Sequence, residues 1–168
     1  EFRRVLFRSS SANYAIDTAA PTVSSIAISG ATGALNSTLN AGDVVSTTVT
    51  LSEAVTVTGT PQLALNIGGT TVQANYASGS GTNAITFTYT IVAGQADTNG
   101  ISLAANSLSL NAGTIVDLAG NTATLTTALV TDNAAYKVDT TAPTVLITDD
   151  GGSTATDRKS TRLNSSHD

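Results

Sequence analysis

Carboxylates carry most of the chemistry this sequence can offer, and they stand where apolar segments stop. Glu53 interrupts an alternating run in which Val45, Thr47, Val49 and Leu51 face one way and Ser46, Thr48, Thr50 and Ser52 the other. A charge in such a place costs stability unless it is paired or solvated. Asp117 opens the tight turn Asp117-Leu-Ala-Gly-Asn121, and Asp97 opens Asp97-Thr-Asn99-Gly100. Asp17 and Asp139 belong to a segment that occurs twice. Carboxylates gathered with turn carbonyls are hard oxygen ligands of the kind Ca²⁺ takes. Each also has an ordinary explanation, because Asp and Asn beside Gly cap turns and tolerate positive φ. For 117–121 a plain turn and a turn that also ligates both stand. Asp97 to Gly100 lacks the remaining ligands of an EF-hand loop.

Other chemistries are excluded by what is missing. The chain has no Cys, and its one His, His167, lies in an end that reads as foreign, so the rest has neither residue. A Ser-His-Asp or Cys-His site cannot be built without them, nor can a zinc site of the usual kind. No glycine loop of the phosphate-cradling type precedes a helix. A carboxylate pair suits glycoside hydrolysis, but the aromatic residues are few and three of them sit in strand patterns. The expectation is a chain that is not an enzyme.

The recurring segment sets the organisation. Ile16-Asp-Thr-Ala-Ala-Pro-Thr-Val23 returns as Val138-Asp-Thr-Thr-Ala-Pro-Thr-Val145, with Tyr14 and Tyr136 ahead of each copy. The offset is constant at 122 residues (139 − 17). Constant spacing is the mark of a tandem array. Proline fixes its own φ and pushes the residue before it towards an extended conformation, so each copy reads as a linker. The chain then divides into residues 10–21, the tail of a preceding unit and its linker; 22–138, one complete unit; and 139–156, a linker and the start of the next.

The two ends read as foreign. Residues 1–9, EFRRVLFRS, can be written as gag-ttc-aga-cgt-gtg-ctc-ttc-cga-tct, whose reverse complement, read one base along, encodes DRKSTRLNS, residues 157–165. Two ends of one protein have no reason to be complementary as nucleotides, and both resemble translated sequencing-adapter DNA. Residues 1–9 and 157–168 are therefore set apart from the fold. Lys137 is then the only cation in 10–156, against nine acids, a net charge of 1 − 9 = −8. Such a surface repels phosphate backbones, so no nucleic-acid partner is expected. No apolar run is long enough for a membrane helix, and no membrane insertion is expected.

The elements that must position these acids are strands. Thr, Val, Ser, Ala, Gly and Asn dominate, which suits strands and turns. Thr22 to Ser29, Val45 to Leu51, Leu63 to Ile67, Val72 to Tyr76, Ile85 to Ile91 and Thr122 to Val130 read as strands, and Gly68-Gly69 as a hairpin turn. Gly30 to Gly42 and Gly94 to Gly100 read as loops. Seven or eight short strands with turns between them predict an all-β, antiparallel Ig-like β-sandwich. In that topology Glu53, Asp117 to Asn121 and the incoming Asp17 share one end, while Asp43 and Asp97 lie at the other, near Asp139. The outward Thr and Ser rows read as a solvated β surface.

Several stretches together resemble a known family. Val49 to Gly69 (VTLSEAVTVTGTPQLALNIGG), Ala74 to Thr82, Phe87-Thr-Tyr89 and Leu108 to Asn121 (LSLNAGTIVDLAGN) are similar to the bacterial Ig-like repeats of very large surface proteins. The pattern resembles the repeats of cyanobacterial swimming-related surface proteins and of long adhesins. The resemblance implies a spacer repeat of a secreted or cell-surface protein, whose partners are the neighbouring repeats of the same chain. It also implies Ca²⁺ at the junctions, with Asp17, Glu53, Asp117, Asn121 and Asp139 as ligands. The alternative is a carbohydrate- or ligand-binding module, which needs an exposed aromatic platform; Tyr76 is the residue placed to supply one.

Overall fold

The computed structural model describes residues 15–145. The ends read as foreign, 1–9 and 157–168, lie outside the described residues, as do 10–14 and 146–156 of the two linkers.

Among the described residues ten strands follow in order: β1 (Val23–Thr32), β2 (Thr38–Leu39), β3 (Val44–Thr58), β4 (Gln62–Ile67), β5 (Thr70–Ser78), β6 (Thr82–Thr90), β7 (Ala96–Asp97), β8 (Leu108–Ser109), β9 (Thr114–Val116) and β10 (Lys137–Asp139). Among the described residues there is no helix, and so none long and apolar enough to cross a membrane. The larger sheet has the order β1-β3-β6-β5-β4-β8, with β9 added to β3, and the smaller has β2-β10-β7. All named pairings are antiparallel except β2 with β10. The chain is thus an all-β sandwich, as the alternating pattern predicts.

Period-two patterning explains which faces are buried. Val45, Thr47, Val49 and Leu51 of β3 point inward, and so do Leu63, Leu65 and Ile67 of β4 and Ile85 and Phe87 of β6. Leu39 of β2 and Val138 of β10 join the same core, so the two sheets share one interior. Each large aliphatic or aromatic side chain buried there contributes roughly 1.5–3 kcal/mol relative to exposure. The β4–β5 hairpin turns on Gly68 and Gly69, with φ of 55° and 84°. Positive φ at both positions is what a tight hairpin of this hand requires.

Three expectations are corrected. Thr122 to Val130 is not a regular strand; it makes only isolated bridges, Thr122 to Val116, Thr124 to Thr22 and Val130 to Leu103. Ala123, Leu125 and Thr127 do turn inward at a period of two, but neighbouring strands meet the segment only at those three bridges. Lys137 to Asp139 form β10, beside β2 and β7, so Lys137 and Asp139 lie in a sheet and not in a free linker. The loop read over Gly30 to Gly42 contains the end of β1 and all of β2, which is too short to show a period.

Strand β3 positions the site. Thr50 pairs with Ala84 and Val55 with Thr82, five steps on β3 against two on β6. The extra residues form a bulge, and beyond it Thr56–Thr58 pair with β9. A bulge re-aims a side chain at the point where pairing changes, and Glu53 stands in it. Val44, at the start of β3, pairs with Thr32 and Thr90, whereas Leu51 pairs with Val23. Nine residues separate Val44 from Glu53, about 30 Å at about 3.3 Å per residue. The incoming segment at Val23 and the outgoing one beyond β6 and β7 therefore lie at opposite ends.

Candidate metal centre and the linker it holds

Carboxylate oxygens of Asp17, Glu53 and Asp117 lie within 4.8 Å of one another. The sequence predicts this meeting, and the structure brings all three together. Glu53, which the sequence shows only as a break in the alternation, is half-buried in the β3 bulge. Asp117 follows β9 and is buried, and Asp17 arrives exposed from the linker. Oxygens on opposite sides of one Ca²⁺ at about 2.3–2.6 Å stand about 5 Å apart, so the span fits a single hard cation. Three carboxylates supply part of the six to eight oxygens such an ion takes.

The local geometry prepares the cluster. Burial opposes ionisation of Asp117, but hydrogen bonds outweigh it. The Asn121 side chain and the backbone N–H groups of Asn121, Gly120 and Ala119 hold its carboxyl below the usual aspartate value. The Asn121 N–H to Oδ1 and Nδ2–H to Oδ2 distances are both 2.8 Å. Glu53 is shifted the other way, raised first by desolvation and then by the charges of Asp17 and Asp117. One acid is thus fixed as an anion while its neighbour resists becoming one. A cation placed among them removes the repulsion that raises Glu53.

Asn121, read as a ligand by resemblance, has its amide nitrogen engaged within the protein. Besides Asp117 it donates to the backbone carbonyls of Asp17 and Ala19, each at 3.2 Å. It therefore ties the linker to the turn. Other bonds extend the tie: Thr124 N–H donates to Pro21 O at 2.8 Å, Thr22 N–H to Ser52 Oγ at 3.0 Å, and Ser52 N–H to Thr22 O at 2.8 Å. Sequence reasoning missed Ser52 and Thr124 in this role. Ser52 offers only a hydroxyl beside Glu53, and Thr124 acts through its backbone N–H, which no residue type signals.

Asp139 is not with the three. It lies at the far end of the sandwich, in β10, paired with Ala96 of β7. Its Oδ1 accepts from Thr141 N–H at 2.9 Å, as Asp17 Oδ1 accepts from Ala19 N–H at 3.0 Å. Thr140 Oγ1 accepts from Gly94 N–H at 2.9 Å and donates to Gln95 O at 2.8 Å. Nearby Asp97 is buried, its oxygens accepting from Gly68 N–H and Gly100 N–H at 2.8 Å each. That satisfies Asp97 as a structural residue. Asp43 likewise accepts from Asn40 N–H at 2.7 Å. An open hollow of about 360 Å³ between Thr38, Asp97, Lys137, Asp139 and Thr141 marks this end.

Tyr76 does not form a platform. Its ring is half-buried edge-on to Phe87, with centroids 6.1 Å apart and planes at 75°, and its hydroxyl accepts from Ser80 N–H at 2.8 Å. Compared with protein-family models, with curated proteins and with solved structures, the chain shows no match to any of the three.

Proposed function

We propose that this chain is a spacer: a β-sandwich unit of a long secreted or cell-surface protein, repeated in tandem and stiffened by Ca²⁺ where the linker meets the sandwich. The observation that carries the reading is the convergence of Asp17, from the linker, with Glu53 and Asp117, from the body of the unit. A cation held there joins linker to sandwich, so its effect is mechanical. The recurrence of the linker 122 residues later (139 − 17), with the same internal turn at Asp139, supports a tandem arrangement. The likeness of Val49 to Gly69 and Leu108 to Asn121 to bacterial Ig-like surface repeats supports the location and the role. A carbohydrate-binding module is less favoured, because Tyr76 is turned against Phe87.

Thermal melting with Ca²⁺ and with chelator tests the calcium part. At a free-ion concentration 100 times Kd, binding to the folded state adds about 2.7 kcal/mol. For a unit of this size that raises Tm by roughly 10 °C. Glu53→Gln removes most of the rise. An unchanged midpoint in the parent chain rejects calcium and leaves a metal-free spacer. The spacer part is tested by small-angle scattering of one-, two- and three-unit proteins. Maximum dimension should grow in proportion to unit number, and a compact three-unit particle rejects the reading.

A further inference from the structure

We propose that successive units share the segment Asp139–Thr141 with no free residue between them, so that the joint is stiff even without a metal. The inference rests on the tandem reading above.

The two copies of the linker show two different sets of contacts. In the first copy the following sandwich holds backbone atoms: Asn121 Nδ2 donates to the carbonyls of Asp17 and Ala19. In the second copy the preceding sandwich holds a side chain: Thr140 Oγ1 is fixed between Gly94 N–H and Gln95 O. At the constant offset, Asp17 corresponds to Asp139, Thr18 to Thr140 and Ala19 to Thr141. The side chain of Thr140 is used by the preceding sandwich, and the carbonyl of residue 141 is left to the following one; residue 139, paired with Ala96 of β7, is the one position both would hold. Thr18, the counterpart of Thr140, is exposed, its side chain left to a preceding unit.

Superposed on one segment, the contacts interleave. The following unit grips residue 139, the preceding unit residue 140, and the following unit residue 141. A carbonyl oxygen has two lone pairs, so Asp139 can serve both its pairing with β7 and a second donor. The backbone need not change shape to serve both neighbours. The same turn, Asp Oδ1 to the N–H two residues on, is present at Asp17 with the following sandwich docked and at Asp139 with the preceding one docked. Pro21 and Pro143 then restrict the next step in each copy. A linker held in this way over 139–141, and restricted by proline at the next step, has little slack from which a hinge could be made.

The test uses a two-unit protein in which residues 24–168 follow Val145 of a first complete copy. Residual dipolar couplings are measured in chelator for the parent, for Thr140→Ala in the first copy, and for a Gly-Ser-Gly insertion after Thr140. The expected result is one alignment tensor shared by both units of the parent, two independent tensors after the insertion, and partial loss of the shared alignment with Thr140→Ala. Two folded units with independent tensors in the parent overturn the shared joint and leave a hinged spacer standing. Coupling that arises only when Ca²⁺ is added overturns it as well. A second copy that does not fold, seen as collapse of half the amide spectrum, overturns the tandem reading and the joint with it.

Discussion

Thr47 and Glu53 break the pattern of β3 in opposite ways. Thr47 lies on the inward face opposite Ile28 and Phe87, fully buried, and its Oγ1 has no hydrogen-bond partner. A buried hydroxyl left unpaired costs about 1–3 kcal/mol. Thr47→Val keeps the shape and removes the penalty, so chemical denaturation should show a gain of about 1 kcal/mol or more. Glu53 titrates against its neighbours. Its folded value is raised above 4.5, so the folded state binds the proton more tightly than the unfolded chain, and stability is lost as pH rises from 4.5 through that raised value. Asp117 is lowered below 3.8, so its contribution is present above 3.8 and lost as pH falls through the lowered value. In chelator, stability from these two groups should climb up to about pH 3.8 and decline above 4.5. Glu53→Gln should abolish the decline, and melting across pH checks it. With Ca²⁺ present the order should reverse at neutral pH, parent above variant.

The β4–β5 hairpin and the β3 bulge show how much an element owes to its own residues. Gly68 and Gly69 both have positive φ, yet their surroundings differ. A Cβ on Gly68 would collide with the Ala96 carbonyl beside β7, whereas one on Gly69 would meet open space. Gly69→Ala should therefore cost only backbone strain, about 1 kcal/mol, and Gly68→Ala clearly more, because two segments must also separate. Denaturation midpoints of the two variants decide it. The hairpin was legible because Gly-Gly between alternating runs has a local cause. The bulge was legible only as a disturbance: Glu53-Ala54 marks where β3 departs from β6, but the partner beyond it, β9, is fixed by a contact some sixty residues away in sequence. Strands β2, β7 and β10 were invisible, since two or three residues cannot display a period.

The two sheets share one interior. Leu39 and Val138 of the smaller sheet pack in the same interior as Phe87, Leu63 and Val49 of the larger. Truncating either side should weaken the whole: Leu39→Ala by about 2–5 kcal/mol and Phe87→Ala by about 3–5. Near-UV and far-UV signals should then move together in a single unfolding transition for both variants. Separate transitions would mean that the small sheet folds on its own. Opposite placement of Asp17 and Asp139 is also a property of the whole, set by the length of β3 and by which strands the chain crosses on the way.

Period and punctuation sufficed for the all-β class, the inward rows of β3, β4 and β6, the Gly-Gly hairpin and the gathering of Asp17, Glu53 and Asp117 at one end. Those features follow from neighbours along the chain or from the topology that neighbours impose. Tertiary structure alone decided that Asn121 binds the linker backbone, that Asp97 is used up by two amides, that Tyr76 leans on Phe87, and that 122–130 makes bridges where a strand was expected. The reason is physical: hydrogen bonds and packing between segments far apart in sequence depend on where the backbone brings them, and residue type leaves that open.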